Sequence, residues 1–200
     1  MRRLWICVAI GICAGCAPSP RAYVDPKPLH GPWTIALLPL ADYSTNRDAP
    51  DRLAPMIQEE LLKHQNMVAV ETGRVEAALA KDPWMLTDRI PPDIVDSLGT
   101  SLDADGLLVG SVLAYGYRSE DGDAVPEVSL SLRLIQVPGG RVLWSAVHHR
   151  DGDDRETLFG LGRVTGLERL AEQTVRELMS TFPDVRPGVN TTSGTGKENP

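Results

Sequence analysis

Read for hydrophobic periodicity, residues 34–40 (TIALLPL) form a short, almost continuous apolar run, the pattern of a strand covered on both faces. Residues 43–50 are polar loop. Leu53, Met56, Ile57, Leu61 and Leu62 then recur at helical spacing, with Asp51 placed to cap the helix and Pro55 tolerated in its first turn. Residues 67–71 read as a second short strand, Val75, Ala78 and Leu79 as a short helix, and 81–92 as a proline-broken loop. Ile94, Val95, Leu98 and Leu102 mark another helix. The longest β-prone run is 106–117 (GLLVGSVLAYGY), followed by the turn residues Asp121, Gly122 and Asp123. In 127–137 the alternation is clean: Val128, Leu130, Leu132 and Leu134 share one face, Ser129, Ser131 and Arg133 the other. Pro138, Gly139 and Gly140 turn the chain into a last strand over 141–149. Thr165 and Glu168 have capping-box spacing, opening a helix whose Leu167, Leu170, Ala171, Thr174, Val175 and Leu178 keep one face apolar.

The predicted order is β-α-β-α-α-β-β-β-α. It describes a single domain of the α/β class, α+β-like, with a mixed sheet of about five strands and helices packed on it. The first two strands, joined through a helix, are expected to be parallel and the last three to form an antiparallel meander. Trp33 and Trp144 are expected in the core.

The two ends of the chain follow other rules. Arg2 and Arg3, the apolar run from Leu4 to Ile12, and small Ala14 and Gly15 before Cys16 have the layout of a secretory signal, residues 1–15. The run is too short to span a bilayer. Its end resembles the lipobox of bacterial lipoproteins, in which the leader is cut before a cysteine that is then acylated, although Cys13 stands where Leu is usual. By that resemblance Cys16 is the lipidation site, carrying palmitate-type chains, and Ala17 after it suits sorting to the outer membrane. Residues 16–32, with Pro18, Pro20, Pro26, Pro28 and Pro32, read as an extended tether reaching up to roughly 50 Å at ~3.1 Å per residue. The folded unit is expected over 33–182 and a disordered tail over 183–200.

Charge narrows the partners. The full chain has 20 basic and 27 acidic residues; loss of Arg2 and Arg3 with the leader leaves 18 against 27, a net charge of −9. Nucleic acid needs a basic footprint, so it is not an expected partner, and neither is a polybasic membrane contact. The membrane is expected to be engaged through the lipid. Cleavage also removes Cys7 and Cys13, so no disulfide or thiolate metal site is expected.

The segments TIALLPLADYS, EELLKHQNMVAVETGRVEAAL, LDADGLLVGSVLAYG and VSLSLRLIQVPGGRVLWSAV, taken together over residues 34–179, resemble the curli-secretion (CsgG-like) superfamily of envelope lipoproteins. The resemblance is closest in type to its periplasmic members, such as the polysaccharide-export lipoprotein PelC and the penicillin-binding-protein activator LpoB. Channel-forming members carry long amphipathic hairpins. Here 119–126 is short, 81–92 is broken by prolines and 150–165 is charged and then glycine-rich, so no transmembrane hairpin is expected.

Candidate chemistry is sparse. Asp151, Asp153, Asp154 and Glu156 could be read as a calcium loop, but they lack the EF-hand spacing and read as a solvated turn. His148 and His149 are adjacent on a strand and point to opposite faces, so no metal site and no cofactor is expected. Gly160, Gly162 and Gly166 do not have dinucleotide-loop spacing. No Gly-x-Ser-x-Gly is present, so the set of catalytic residues is empty and the chain is not expected to be an enzyme. Four apolar residues in loops remain as candidate partner contacts: Trp84, Leu158, Phe159 and Leu161. The sequence thus predicts an outer-membrane lipoprotein facing the periplasm, a non-enzymatic assembly component of a secretion or export machine. Its partners would be copies of itself or an envelope complex. The alternatives are an activator of a peptidoglycan synthase and a monomeric ligand-binding lipoprotein.

Overall fold

The computed structural model describes residues 18–80, 90–120, 122–155 and 162–187. Its strands are β1 (Arg21–Val24), β2 (Leu29–His30), β3 (Trp33–Leu37), β4 (Ala41–Asp42), β5 (Met67–Ala69), β6 (Gly106–Glu120), β7 (Asp123–Gln136), β8 (Val142–Asp151) and β9 (Val185–Arg186). The helices are α1 (Ala49–Leu62), α2 (Thr72–Leu79), α3 (Pro92–Leu102) and α4 (Leu167–Met179).

Seven strands make one mixed sheet in the order β1-β8-β7-β6-β3-β5, with β4 also paired to β6. The fold is α+β, as the hydrophobic pattern predicts, and among the described residues the sheet does not close into a barrel. Strands β3, β5 and β6 are parallel and β6, β7 and β8 form the antiparallel meander. Two strands exceed the expected five. One is β4, which resumes pairing with β6 beyond Pro39, a residue with no N–H to give to a ladder. The other is β1.

The continuous apolar runs in β3 and β6 have a direct cause: each strand feeds two cores. Ile35 and Leu108 pack with Leu53, Ile57 and Leu61 of α1 and Leu170, Val175 and Leu178 of α4. Their neighbours Ala36, Leu107 and Val109 pack on the other face with Val75 and Leu79 of α2 and Val95, Leu98 and Leu102 of α3. Strand β7 lies mostly beyond the reach of α2 and α3. Its Leu130, Leu132 and Leu134 are buried under α4, while Ser131 and Arg133 face the open side. Trp144 is fully buried, its indole donating to Thr181 Oγ1 at 3.1 Å, and Trp33 packs half-buried against the same core.

Four expectations are corrected. Residues 21–25, expected within the tether 16–32, are tied to the sheet: Arg21 to Val24 pair antiparallel with Val147 to Trp144, and Asp25 N–H continues the ladder to the Leu143 carbonyl. Val185 and Arg186, expected within the tail 183–200, pair in parallel with Leu29 and His30. Helix α1 starts at Ala49 after Asp48, so Asp51 lies in the first turn instead of capping it. The capping box does not form: α4 is preceded by Gly166 without a side-chain cap, and Glu168 reaches across to Arg52 at 2.5 Å. Backbone pairing overrides local pattern in the first two cases and a long-range ion pair in the last.

Candidate functional site

All five residues singled out from the sequence, Cys16, Trp84, Leu158, Phe159 and Leu161, lie outside the described residues. The residues that flank the last three are described. Gly162 has φ +93°, and a Cβ there would stand 2.2 Å from the Arg155 carbonyl oxygen. Residues 155 and 162 therefore touch, and only glycine permits that approach.

That junction is built on charge. Arg150 comes from the last turn of the β8 pleat and is fully buried. Its Nη1 donates to both carboxylate oxygens of Glu177 on α4, at 2.8 and 2.7 Å, and its Nε to Asp154 Oδ2 at 2.8 Å. His148, on the same face of β8, lies with its Nε2 2.8 Å from Glu177 Oε2. Arg155 Nη2 donates to Glu177 Oε1 at 2.6 Å. Burial raises the affinity of Glu177 for a proton, but the bonds from His148 and Arg150 outweigh it and hold the carboxyl below its ordinary range. Burial likewise works against the Arg150 charge and is outweighed by Glu177 and Asp154.

The acidic turn is answered arginine by arginine. Asp151 receives Arg118 at 3.1 Å, Asp153 receives Arg163 at 2.8 Å, and Asp154 receives Arg150. Two further bonds, from Asp153 N–H to Asp151 and from Asp151 N–H to Asp154, tighten the loop. Carboxylates already engaged by guanidinium groups are poor ligands for a hard cation. Among the described residues no group of three His, Cys, Asp or Glu side chains is placed to hold a metal. His149 sits on the opposite face from His148, exposed and 3.7 Å from Glu127. The sequence signal for this cluster was available but small: two chargeable residues, His148 and Arg150, continue the buried face started by Trp144 and Ala146.

Two surfaces complete the candidate sites. A groove of about 220 Å³ opens between α1 and α2 past the carboxyl end of β3, lined by Leu37, Pro39, Leu40, Ala54, Pro55 and Val75 and rimmed by Asp51 and Glu76. It lies where the connections leaving β3 and β5 turn to opposite faces of the sheet, the position at which open α/β sheets form crevices. The other surface is the uncovered side of the meander, where Leu113 and Val147 are exposed, together with the margin strand β1, whose four side chains are all exposed. The β-bulge between Val112 and Ala114 turns Leu113 outward between buried Val112 and Tyr115.

No protein-family model and no curated protein matches the sequence. Solved structures do. The chain is similar to the PelC dodecamer from Paraburkholderia phytofirmans, with a TM-score of 0.56 and 21% identity over 83% of this chain and 98% of that one. It is similar to lipoprotein GNA1162 from Neisseria meningitidis, with a TM-score of 0.52 and 20% identity over 60% of this chain and 83% of that one. A hypothetical protein from Chlamydia trachomatis aligns with a TM-score of 0.51 and 12% identity over 76% and 94% of the two chains. At these identities the likeness is one of fold.

Proposed function

We propose that this chain is an envelope lipoprotein, anchored through Cys16 and facing the periplasm, that works without catalysis as a repeated subunit of an export assembly, of exopolysaccharide or of curli type. The observation that carries the reading is the fold likeness to the PelC dodecamer, which extends over 98% of that chain. Both the signal ending at Cys16 and the resemblance of residues 34–179 to the curli-secretion superfamily support it.

In this reading the work of the protein is positional. A lipid holds the domain at a membrane surface, where a weak subunit contact becomes a local one at high effective concentration. A ring of identical subunits needs head-to-tail contacts between two different patches of each copy, and the free β5 margin with exposed Val68 and the open side of the meander at exposed Leu113 are two such patches. The β6–β7 hairpin is too short to supply a membrane strand pair: beyond the last β7–β8 pair, Glu127 with Asp151, only residues 117–120 and 123–126 project, against about 9–11 per strand.

Light scattering and native mass measurement on a soluble form beginning at residue 17 and ending after residue 187 test the assembly. A discrete ring of many copies is the expected result. A monomer would turn the reading toward a synthase activator or a ligand-binding protein, the latter using the groove beside β3. Palmitate labelling of the full chain, lost in Cys16→Ser, tests the anchor separately.

A further inference from the structure

We propose that the β1 margin of the sheet, with Arg21, Tyr23, Val24 and Val147, is the surface that the domain lays against the lipid bilayer; this rests on acylation of Cys16. Tyr23 and Val24 are 53% and 45% exposed and Val147 is 42% exposed. Neighbouring residues of a strand point to opposite faces, so Tyr23 and Val24 flank the margin on both sides without joining either core. The strand is held by its ladder to β8 and by Arg141, which pairs with Asp25 at 3.1 Å.

Chain length then fixes the orientation. Cys16 and Arg21 are five positions apart, a span of at most about 18 Å. Arg21 lies level with Ser111 on β6, through Val147 and Ser131. From Ser111 to Glu120 at the hairpin tip the strand rises nine residues, roughly 30 Å at ~3.3 Å each. Standing upright on that tip, the domain would push Glu120 and Asp123 on the order of 10 Å deeper than Cys16, into a region that excludes charge. The opposite end is equally closed. The chain enters β1 from the tip side, and Gly106, which pairs with Ile35, lies five residues beyond Ser111 in the other direction. The short leash would have to reverse and still cover about seven residues of sheet, roughly 23 Å, before reaching the level of Trp33, more than its full span.

What remains is a domain with its strands inclined toward the membrane plane and the β1 margin nearest the lipid. The side chains suit that place. A tyrosine ring sits at the head-group level, and the stem of Arg21 lies along apolar surface while its head meets phosphate.

The test uses the full-length acylated protein in vesicles of phosphatidylethanolamine and phosphatidylglycerol, after flotation establishes that it is bound. A polarity-sensitive fluorophore is placed on Tyr23→Cys or Val147→Cys, and for comparison on Val68→Cys at the β5 margin or Ser119→Cys beside the tip. With a head-group nitroxide lipid as quencher, the labels at 23 and 147 are expected to be quenched severalfold more than those at 68 and 119. Stronger quenching at 119 or 68 overturns the proposal. So does a label at 23 shielded from both the lipid quencher and aqueous iodide, which would mean that a second copy covers the margin. Failure of the acylated protein to float overturns the anchor itself, and the proposal with it.

Discussion

Arg150 and Glu177 form a doubly bonded ion pair beneath α4, the arginine fully buried and the carboxylate reached at 2.7 and 2.8 Å. The pair joins the end of β8 to the last turns of α4 and brings the acidic turn with it through Asp154. Removing one partner leaves the other uncompensated. Glu177→Ala should destabilise the domain by about 2–4 kcal/mol, somewhat below the full range for a buried pair because Asp154 remains. The double change Arg150→Met with Glu177→Leu should recover most of that loss. Urea unfolding of the three forms checks it; equal stability of Glu177→Ala and the parent would refute a structural role for the pair.

The same carboxyl sets an acid limb. Glu177 is held below its ordinary value of 4.5, so its contribution is present in full above that pH. As pH falls below 4.5 the unfolded chain takes up the proton first, and the contribution is gone once pH passes the folded value. Glu177→Gln should therefore flatten the fall in stability below pH 4.5 relative to the parent, as measured by unfolding at a series of pH values. A parallel pair of curves would show that other carboxylates carry the acid sensitivity.

Strand β6 depends on a missing side chain. A Cβ at Gly110 would stand 2.3 Å from Leu132 Cδ2 and 2.4 Å from the Ser131 carbonyl oxygen. Backbone cannot yield as a side-chain end can. Gly110→Ala is expected to cost about 1–3 kcal/mol, read as a lowered thermal midpoint, with the meander's hydrogen exchange loosened locally.

Tyr115 makes the opposite case. Its buried hydroxyl makes no well-formed hydrogen bond among the described residues, and burial, reinforced by the charge of the nearby Glu168 carboxylate and a weak side-chain hydrogen bond to it, pushes its pKa up to about 12. Tyr115→Phe should be neutral or stabilising by up to about 1 kcal/mol, since a poorly partnered buried polar group is removed. In alkaline titration followed by ultraviolet absorbance, the variant should lack a tyrosine that ionises near pH 12. A clear loss of stability would mean that the hydroxyl is satisfied.

Much of the fold was legible because burial writes itself into local periodicity. The i, i+3, i+4 pattern of Leu170, Ala171, Thr174, Val175 and Leu178 describes the buried face of α4, and the alternation at Leu130, Leu132 and Leu134 describes its floor. The continuous apolar run of β3 signalled a strand with a core on either side; that β6 feeds both cores as well emerged only from the structure. The proposed contacts fared differently, since Cys16, Trp84, Leu158, Phe159 and Leu161 fall outside the described residues and only the pinned Arg155 and Gly162 beside the last three are seen.

The amino-acid order by itself determined the helices, the meander and the signal-like start, because each depends on neighbours a few positions apart. Only the tertiary structure decided that residues 21–24 become the sheet's margin instead of a tether. Their hydrogen bonds go to residues more than a hundred positions away, and their exposed side chains carry no periodic mark. It also decided which carboxylate answers Arg150. Glu177 lies 27 residues further on, and a charge pair has no sequence signature until packing removes the water between its members.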